Sequence, residues 1–394
     1  MMKKNNVVVD YLSTTICDED LSIYIHIPFC EKRCFYCDFA SNTNFKLTEN
    51  YFKYLEKEIL SYKEFLKNKS IKSIFIGGGT PSSVDSEYIK NILSTINSIT
   101  NLSDDIETTI ELNPNSFSKN KLEDYLSSGI NRFSLGVQSF NENILKIIGR
   151  IHNISHVEKS VEIFKEYKIK NFSLDLMLGL PNQTIEDIKI SLDYINEFSP
   201  SHISYYSLIL EDGTSMKKYY EDNSLKFPNE DMDRDMYHFM VNELKNMGYE
   251  QYEISNFSKK GFTSKHNLRY WHLKNYIGVG LSSHSNINML RYANPTSLSE
   301  YFENLNNGSA FNFYEILTKK DRINEYVSLG LRLNLGINFK NFYNQFKLNF
   351  LDLFKSVIEK NLKLNLIKLN SNNLSLTDKG RDLSNLVEVD FFLL

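Results

Sequence analysis

Three of the chain's four cysteines, Cys30, Cys34 and Cys37, stand in one octapeptide, CEKRCFYC. The octapeptide follows directly on a β-type run, SIYIHIP at 22–28, and its HIPF exit, so the three thiols share one tight loop at the end of a strand. Buried, unliganded thiols are one use of such a trio, and a zinc site is another. A structural zinc ordinarily takes four protein ligands, yet no second Cys or His pair stands nearby at zinc spacing, and Cys17 lies on the far side of the strand. A [4Fe-4S] cluster takes one thiolate per iron, and three cysteines then leave one iron open to a substrate or cofactor.

Other residues with chemistry to offer recur at the ends of later β-type runs. Gly77 and Gly78 close SIFIGG at 73–78 and Gly79 follows, where glycine lets the main chain approach a ligand closely, although a simple turn uses the same residues. Glu111 opens ELNP after DIETTI and supplies a carboxylate, or else sits solvated in a loop. Gln138 in GVQSF, Arg150 in GRIH and Asp175 in DLMLGLPNQT add an amide, a carboxylate-pairing guanidinium and a hydrogen-bond acceptor.

These residues need a frame that gathers strand ends. β-type runs at 22–28, 73–78, 105–114, 132–140, 171–181 and 202–210 alternate with segments of helical period, such as 49–66 and 185–198. Alternation of this kind specifies a parallel α/β sheet, and six units in this length suit an incomplete (β/α)6 TIM-like barrel with its chemistry at the strand C-termini. The expected division is an N-terminal extension at 1–21, the barrel at 22–210, an extension at 211–310 with Gly- and aromatic-rich loops from 248 to 286, and a winged-helix-like cap at 311–394. The cap should hold helices at 321–331 and 340–360, then short strands in LIKLN and LSLTDKG, making a C-terminal α+β domain.

The 394 residues carry 45 Lys and Arg against 49 Asp and Glu, a formal charge of −4, which offers no basic field for a nucleic-acid backbone. No run reaches the roughly 18 apolar residues of a membrane span, and MMKKNNVVVDYLSTT lacks a signal peptide's apolar stretch, so a cytoplasmic protein is expected.

CxxxCxxC at the end of strand one resembles the radical S-adenosylmethionine (SAM) enzymes, and YIHIPFCEKRCFYCDF is similar to the branch that contains oxygen-independent coproporphyrinogen III oxidase. GGGTPS, ELNP, GVQSF, GRIH and DLMLGLPNQT follow in that branch's order, over about 22–285. The resemblance implies a [4Fe-4S] cluster on Cys30, Cys34 and Cys37, with S-adenosyl-L-methionine on the open iron. It implies SAM contacts from Tyr24, Tyr36, Gly78, Gly79, Thr80, Glu111, Gln138, Arg150 and Asp175. The oxidase carries a further cysteine where this chain has Phe39, and its N-terminal cover has little counterpart here.

CDF, GYEQYEISNF at 248–257, HNLRYW at 266–271 and the closing 374–392 segment instead resemble the radical-SAM haem chaperone branch. That likeness implies haem as cargo, with His266 as a candidate axial ligand and Tyr270 and Trp271 as flat apolar walls. Trp271 as a core anchor beside a hydrogen-bonded His266 is the other reading of HNLRYW. His272 and His284 are rival ligands, and His26, inside strand one, reads as structural. Delivery to a membrane-bound respiratory haem protein, with transient membrane association, is then implied, and a homodimer stays open. The rival expectation is an anaerobic coproporphyrinogen III dehydrogenase, working through a 5′-deoxyadenosyl radical.

Overall fold

The computed structural model describes residues 8, 10–14 and 20–393; Cys17 lies outside them. Six parallel strands, β1 (Asp20–Ile27), β2 (Ser70–Gly78), β3 (Asn101–Leu112), β4 (Arg132–Gln138), β5 (Phe172–Leu178) and β6 (His202–Ser207), pair in sequence order. Helices such as Thr48–Ser61, Ser86–Ile99, Ile154–Glu166 and Ile185–Phe198 return the chain between them. Their starts are written locally: Asp85 accepts the Glu87 N–H, and capping boxes join Asn153 to His156 and Thr184 to Asp187.

Register places Ile25 beside Ile76, Ile76 beside Ile110, Ile110 beside Phe133 and Phe133 beside Phe172, a buried apolar row across five strands. Strand alternation sends Glu111, Ser134, Ser173 and Asp175 to the opposite face, the barrel interior, which is therefore polar. The strands thus alternate apolar residues with polar ones, a period that is visible in the sequence.

The strands between 250 and 316 join the barrel's sheet. β7 (Glu250–Glu253) and β8 (Asn256–Ser258) extend the sheet antiparallel beyond β6. β9 (Tyr276–Val279) joins parallel to β1, and β10 (His284–Ile287), β11 (Leu290–Ala293) and β12 (Phe313–Ile316) continue that edge. The result is one open sheet of twelve strands among the described residues, with Ile277, Ile287 and Tyr301 in the same core as the barrel.

A second core, with Val327, Phe342, Phe350, Phe354 and Phe391 fully or nearly buried, defines the C-terminal domain. It holds the helix Lys319–Arg332 and a three-stranded sheet of β13 (Ile337–Asn338), β14 (Ile367–Leu369) and β15 (Asn373–Leu376). The single helix expected at 340–360 is three: Phe339–Phe346, Phe350–Leu353 and Lys355–Lys363. Lys347 takes a left-handed conformation and Asn349 caps the next turn, which ends one helix and starts another. Among the described residues no helix is long and apolar enough to cross a membrane.

Candidate cofactor site at the strand ends

Past β1 the chain leaves as Pro28 and Phe29 and returns at Asn42, whose carbonyl accepts the Cys30 N–H at 3.1 Å and whose N–H reaches the Pro28 carbonyl at 2.6 Å. Phe29, fully buried, anchors this neck. Within the loop the Cys37 N–H bonds the Cys34 carbonyl, and the Phe35 N–H bonds Ile148 at 3.1 Å, fastening the loop to the turn after β4.

Cys30 is buried, while Cys34 and Cys37 are half-buried, and all three thiols are free. The Thr80 hydroxyl donates to Cys30 Sγ at 3.4 Å, and Arg150 Nη1 approaches Cys34 Sγ at 3.7 Å. Burial raises the Cys30 thiol and pushes Cys37 up to about 11, so these two favour the thiol until a cation replaces the proton.

A cavity of about 570 Å³ opens at the strand C-termini, and the three cysteines, Tyr36, Gly78, Gly79 and Thr80 form one side of it. Glu111, Gln138, Arg150 and Asp175 form another, and of the expected barrel residues only Tyr24 is missing from the wall. Tyr24 lies in β1 stacked against Phe75, with its hydroxyl donating to His26 Nδ1 at 3.1 Å. His26 Nε2 in turn bonds the Ala40 carbonyl at 2.8 Å, which makes it the structural histidine its position in β1 suggests.

The glycine run has a steric reason. A Cβ on Gly78, at φ +114°, would meet the His26 ring at 2.6 Å, and one on Gly79 would meet the Pro28 carbonyl carbon at 2.8 Å and Cys30 Sγ at 2.9 Å. The main chain at Gly79 therefore lies directly against the start of the cluster loop, and at Gly78 against His26, with no room for a side chain at either.

Burial raises Glu111 to about 8, with Asp175 the next cause, and Glu111 accepts the Gly78 N–H at 3.1 Å. Burial also raises Asp175, against hydroxyl donors that include Ser134 at 2.6 Å and Ser173 at 2.9 Å. Two buried carboxylates facing one cavity favour a cationic ligand. Arg150 adds a guanidinium to the same wall: Nη2 donates to the Gly136 carbonyl at 2.6 Å and Nε to His152 Nδ1 at 3.3 Å. Gln138 carries φ +66° where β4 slips register against β5, a strained backbone at the cavity wall.

Sequence reasoning missed Ser134, Asn113, Tyr206 and Ile209, which also line the cavity. Ser134 was accessible in principle, sharing strand parity with Gly136 and Gln138; Tyr206, near the end of β6, and Ile209, just after it, lie in a segment without a motif.

HNLRYW is placed elsewhere, apart from the strand-end cavity. The helix Lys265–Trp271 lies against the middle of β2 and β3, away from the strand ends that form the cavity. His266 is 1% exposed, its Nδ1 bonded to Ser73 Oγ at 2.9 Å and its Nε2 to Tyr270 Oη at 2.8 Å. Tyr270 packs edge-on to Tyr276, and Trp271 lies beneath the Arg332 guanidinium at 4.5 Å. His272 and His284, both exposed, line neither this cavity nor the cleft beside Tyr237.

Residues 24–195 match the model of the Radical SAM superfamily, and 317–383 match the HemN C-terminal domain. A haem chaperone HemW of Lactococcus lactis is 36% identical over 94% of this chain and 97% of its own length, and that of Bacillus subtilis is 36% identical over 92% and 97%. Radical S-adenosyl methionine domain-containing protein 1, mitochondrial, of Danio rerio is 37% identical over 67% of this chain and 60% of its own. The coproporphyrinogen III oxidase structure from Escherichia coli superposes with a TM-score of 0.84 at 22% identity, covering 97% of this chain and 92% of that one, a likeness of fold.

Proposed function

The chain belongs to the radical SAM haem chaperone (HemW) family, and from that premise we propose that it binds haem and hands it to an acceptor protein, with a SAM-ligated [4Fe-4S] cluster in the strand-end cavity. One observation carries the cofactor part. Three thiols, a glycine cradle that a Cβ would obstruct, two buried carboxylates and a buried guanidinium converge on one cavity of about 570 Å³. The donor set fits the group: Cys30, Cys34 and Cys37 supply three thiolates, and Glu111 and Asp175 suit the ammonium and ribose hydroxyls of a cationic cofactor. A cluster that shares one iron with SAM supplies one-electron chemistry at the sulfonium. The chain's own groups position it, with Arg150 holding the Gly136 strand end and bordering Cys34.

The cargo reading draws on the relatives' names and on the rim of the cavity. Phe39 is 61% exposed and Ile209 69% exposed at the mouth, with Tyr206 beside them, an apolar border suited to a flat macrocycle. Lys32 and Arg33 border the same mouth and suit propionates, while Asp38 and Glu211 direct those groups away from their side. The acceptor we assign to the membrane-bound respiratory haem proteins that the resemblance implies, met at the surface of this chain.

The test is anaerobic. Protein reconstituted with iron and sulfide is titrated with haem and, in parallel, incubated with coproporphyrinogen III, SAM and a strong reductant. Haem binding with no protoporphyrinogen is expected, and Phe39→Ser with Ile209→Ser should weaken haem about tenfold. Decarboxylated porphyrin would overturn the chaperone reading and restore the oxidase.

A further inference from the structure

Two motifs remain without a task in the cofactor site: GYEQYEISNF, which holds Tyr252, and HNLRYW, whose helix is capped by Ser264. Both meet one chain of hydrogen bonds that ends on a cavity carboxylate. Ser173 Oγ lies 2.9 Å from Asp175 Oδ1 and 2.9 Å from His202 Nδ1, and His202 Nε2 lies 2.8 Å from Tyr252 Oη. The Ser264 N–H, in the capping residue of the HNLRYW helix, donates to Tyr252 Oη at 3.3 Å.

The donors can be assigned from one end. An ionised Asp175 only accepts, so the Ser173 hydroxyl donates to it and accepts from His202 Nδ1–H. His202 Nε2 is then the acceptor, and the Tyr252 hydroxyl donates to it while receiving the Ser264 N–H. Every step points the same way, toward the carboxylate. Ser173, His202 and Ser264 are at most 2% exposed, so the chain runs where a hydrogen bond is electrostatically strong and successive bonds polarise one another. Burial holds His202 neutral, well below its ordinary pKa, which the single assigned proton requires.

The far end is fixed as well. Glu107 accepts the backbone N–H groups of Lys265 at 3.0 Å and His266 at 2.9 Å, holding the start of the HNLRYW helix and, with it, Ser264.

We propose that Tyr252 and His202 are positioning residues for SAM, aligning the Asp175 carboxylate through Ser173 and coupling the HNLRYW helix to the cofactor cavity. This rests on the reading of Asp175 as a SAM contact. The haem-chaperone motifs then act on the cofactor from within the barrel, in place of ligating the cargo.

A double-mutant cycle tests it, with SAM affinity measured calorimetrically on cluster-reconstituted protein and cluster content and thermal midpoint recorded for every variant. Asp175→Asn should weaken SAM about tenfold. Tyr252→Phe, which removes only the hydroxyl, should weaken SAM about threefold to fivefold at unchanged cluster content, and His202→Gln should act likewise. In the Asp175→Asn background, Tyr252→Phe should add nothing, because the path it works through is gone. Unchanged SAM affinity in Asp175→Asn would defeat the cofactor reading itself. An effect in Asp175→Asn but none in Tyr252→Phe, or equal effects of Tyr252→Phe in both backgrounds, would overturn the positioning role and leave the cofactor reading in place. Should His202→Gln fail to fold, the tyrosine variant decides alone.

Discussion

Cys34 and Arg150 show how closely the residue scale ties ligand and support. The guanidinium that borders Cys34 Sγ also holds the Gly136 carbonyl and rests on His152, which burial and the neighbouring Arg150 charge lower to about 3 and so keep neutral. A thiolate placed at Cys34 therefore meets a positive charge that has no carboxylate of its own to answer. Cys34→Ala should abolish the cluster on iron and sulfide quantification after reconstitution, and Cys17→Ala should leave it intact. Cluster retained by Cys34→Ala, or lost by Cys17→Ala, would displace the three-cysteine assignment. Arg150→Ala should keep the cysteines but lower cluster yield, because the thiolates lose their nearest cation.

At the scale of elements, helix, strand and loop meet on buried carboxylates that settle their own positions. Glu58, 1% exposed in the helix Thr48–Ser61, accepts the Gly280 N–H at 2.8 Å, Asn294 Nδ2 at 2.7 Å and the Tyr301 hydroxyl at 2.5 Å. It ties that helix to the exit of β9, to the residue after β11 and to the helix Leu298–Asn306. Burial raises Glu58 to about 7, partly offset by those hydrogen bonds. The folded chain thus holds this proton more tightly than the unfolded one, whose carboxyl titrates near 4.3. Its contribution to stability is complete below about pH 4 and is lost as pH rises to about 7, on the order of 3 kcal/mol in all. The thermal midpoint of the wild type should fall more steeply between pH 5 and 8 than that of Glu58→Gln; parallel slopes would remove Glu58 as the cause. Gly78→Ala belongs to the same scale. Its Cβ would strike the His26 ring at a positive φ, so the strand end should shift and SAM binding be lost while the barrel remains folded by circular dichroism.

For the whole molecule, the C-terminal domain is fastened to the barrel's edge by a charge that the barrel buries. Glu253, fully buried at the end of β7, is bonded by Asn256 Nδ2 and the Ser255 N–H and receives Arg332 Nη2 at 3.3 Å from the C-terminal domain. The same guanidinium covers Trp271, and the Asn334 N–H donates to the Tyr252 carbonyl at 3.1 Å. Removing the guanidinium leaves the buried Glu253 carboxylate without its cation, which destabilises the docked arrangement. Arg332→Ala should therefore expose the connection after β12 to limited proteolysis and separate domain unfolding into two steps, with cluster content preserved. A single transition at the wild-type midpoint would show that other contacts carry the docking.

The order of β and α units, the cysteine loop at a strand exit and most of the cavity wall were legible because they are local. The strands carry short β-type runs of alternating apolar residues, glycines mark a close approach, and Cys30, Cys34 and Cys37 lie within eight residues of one another. HNLRYW was legible as a motif but not as a place. Whether a histidine faces a ligand or the barrel interior depends on what stands opposite it, and Ser73 is 193 residues away from His266 in sequence. The regions after 211 likewise carry strands of ordinary composition that only sheet pairing assigns to the two edges of the barrel. Tyr252, His202 and Ser173 are neighbours through side-chain register across elements, information that no single segment contains, so the tertiary structure alone decided that they form a chain ending on Asp175.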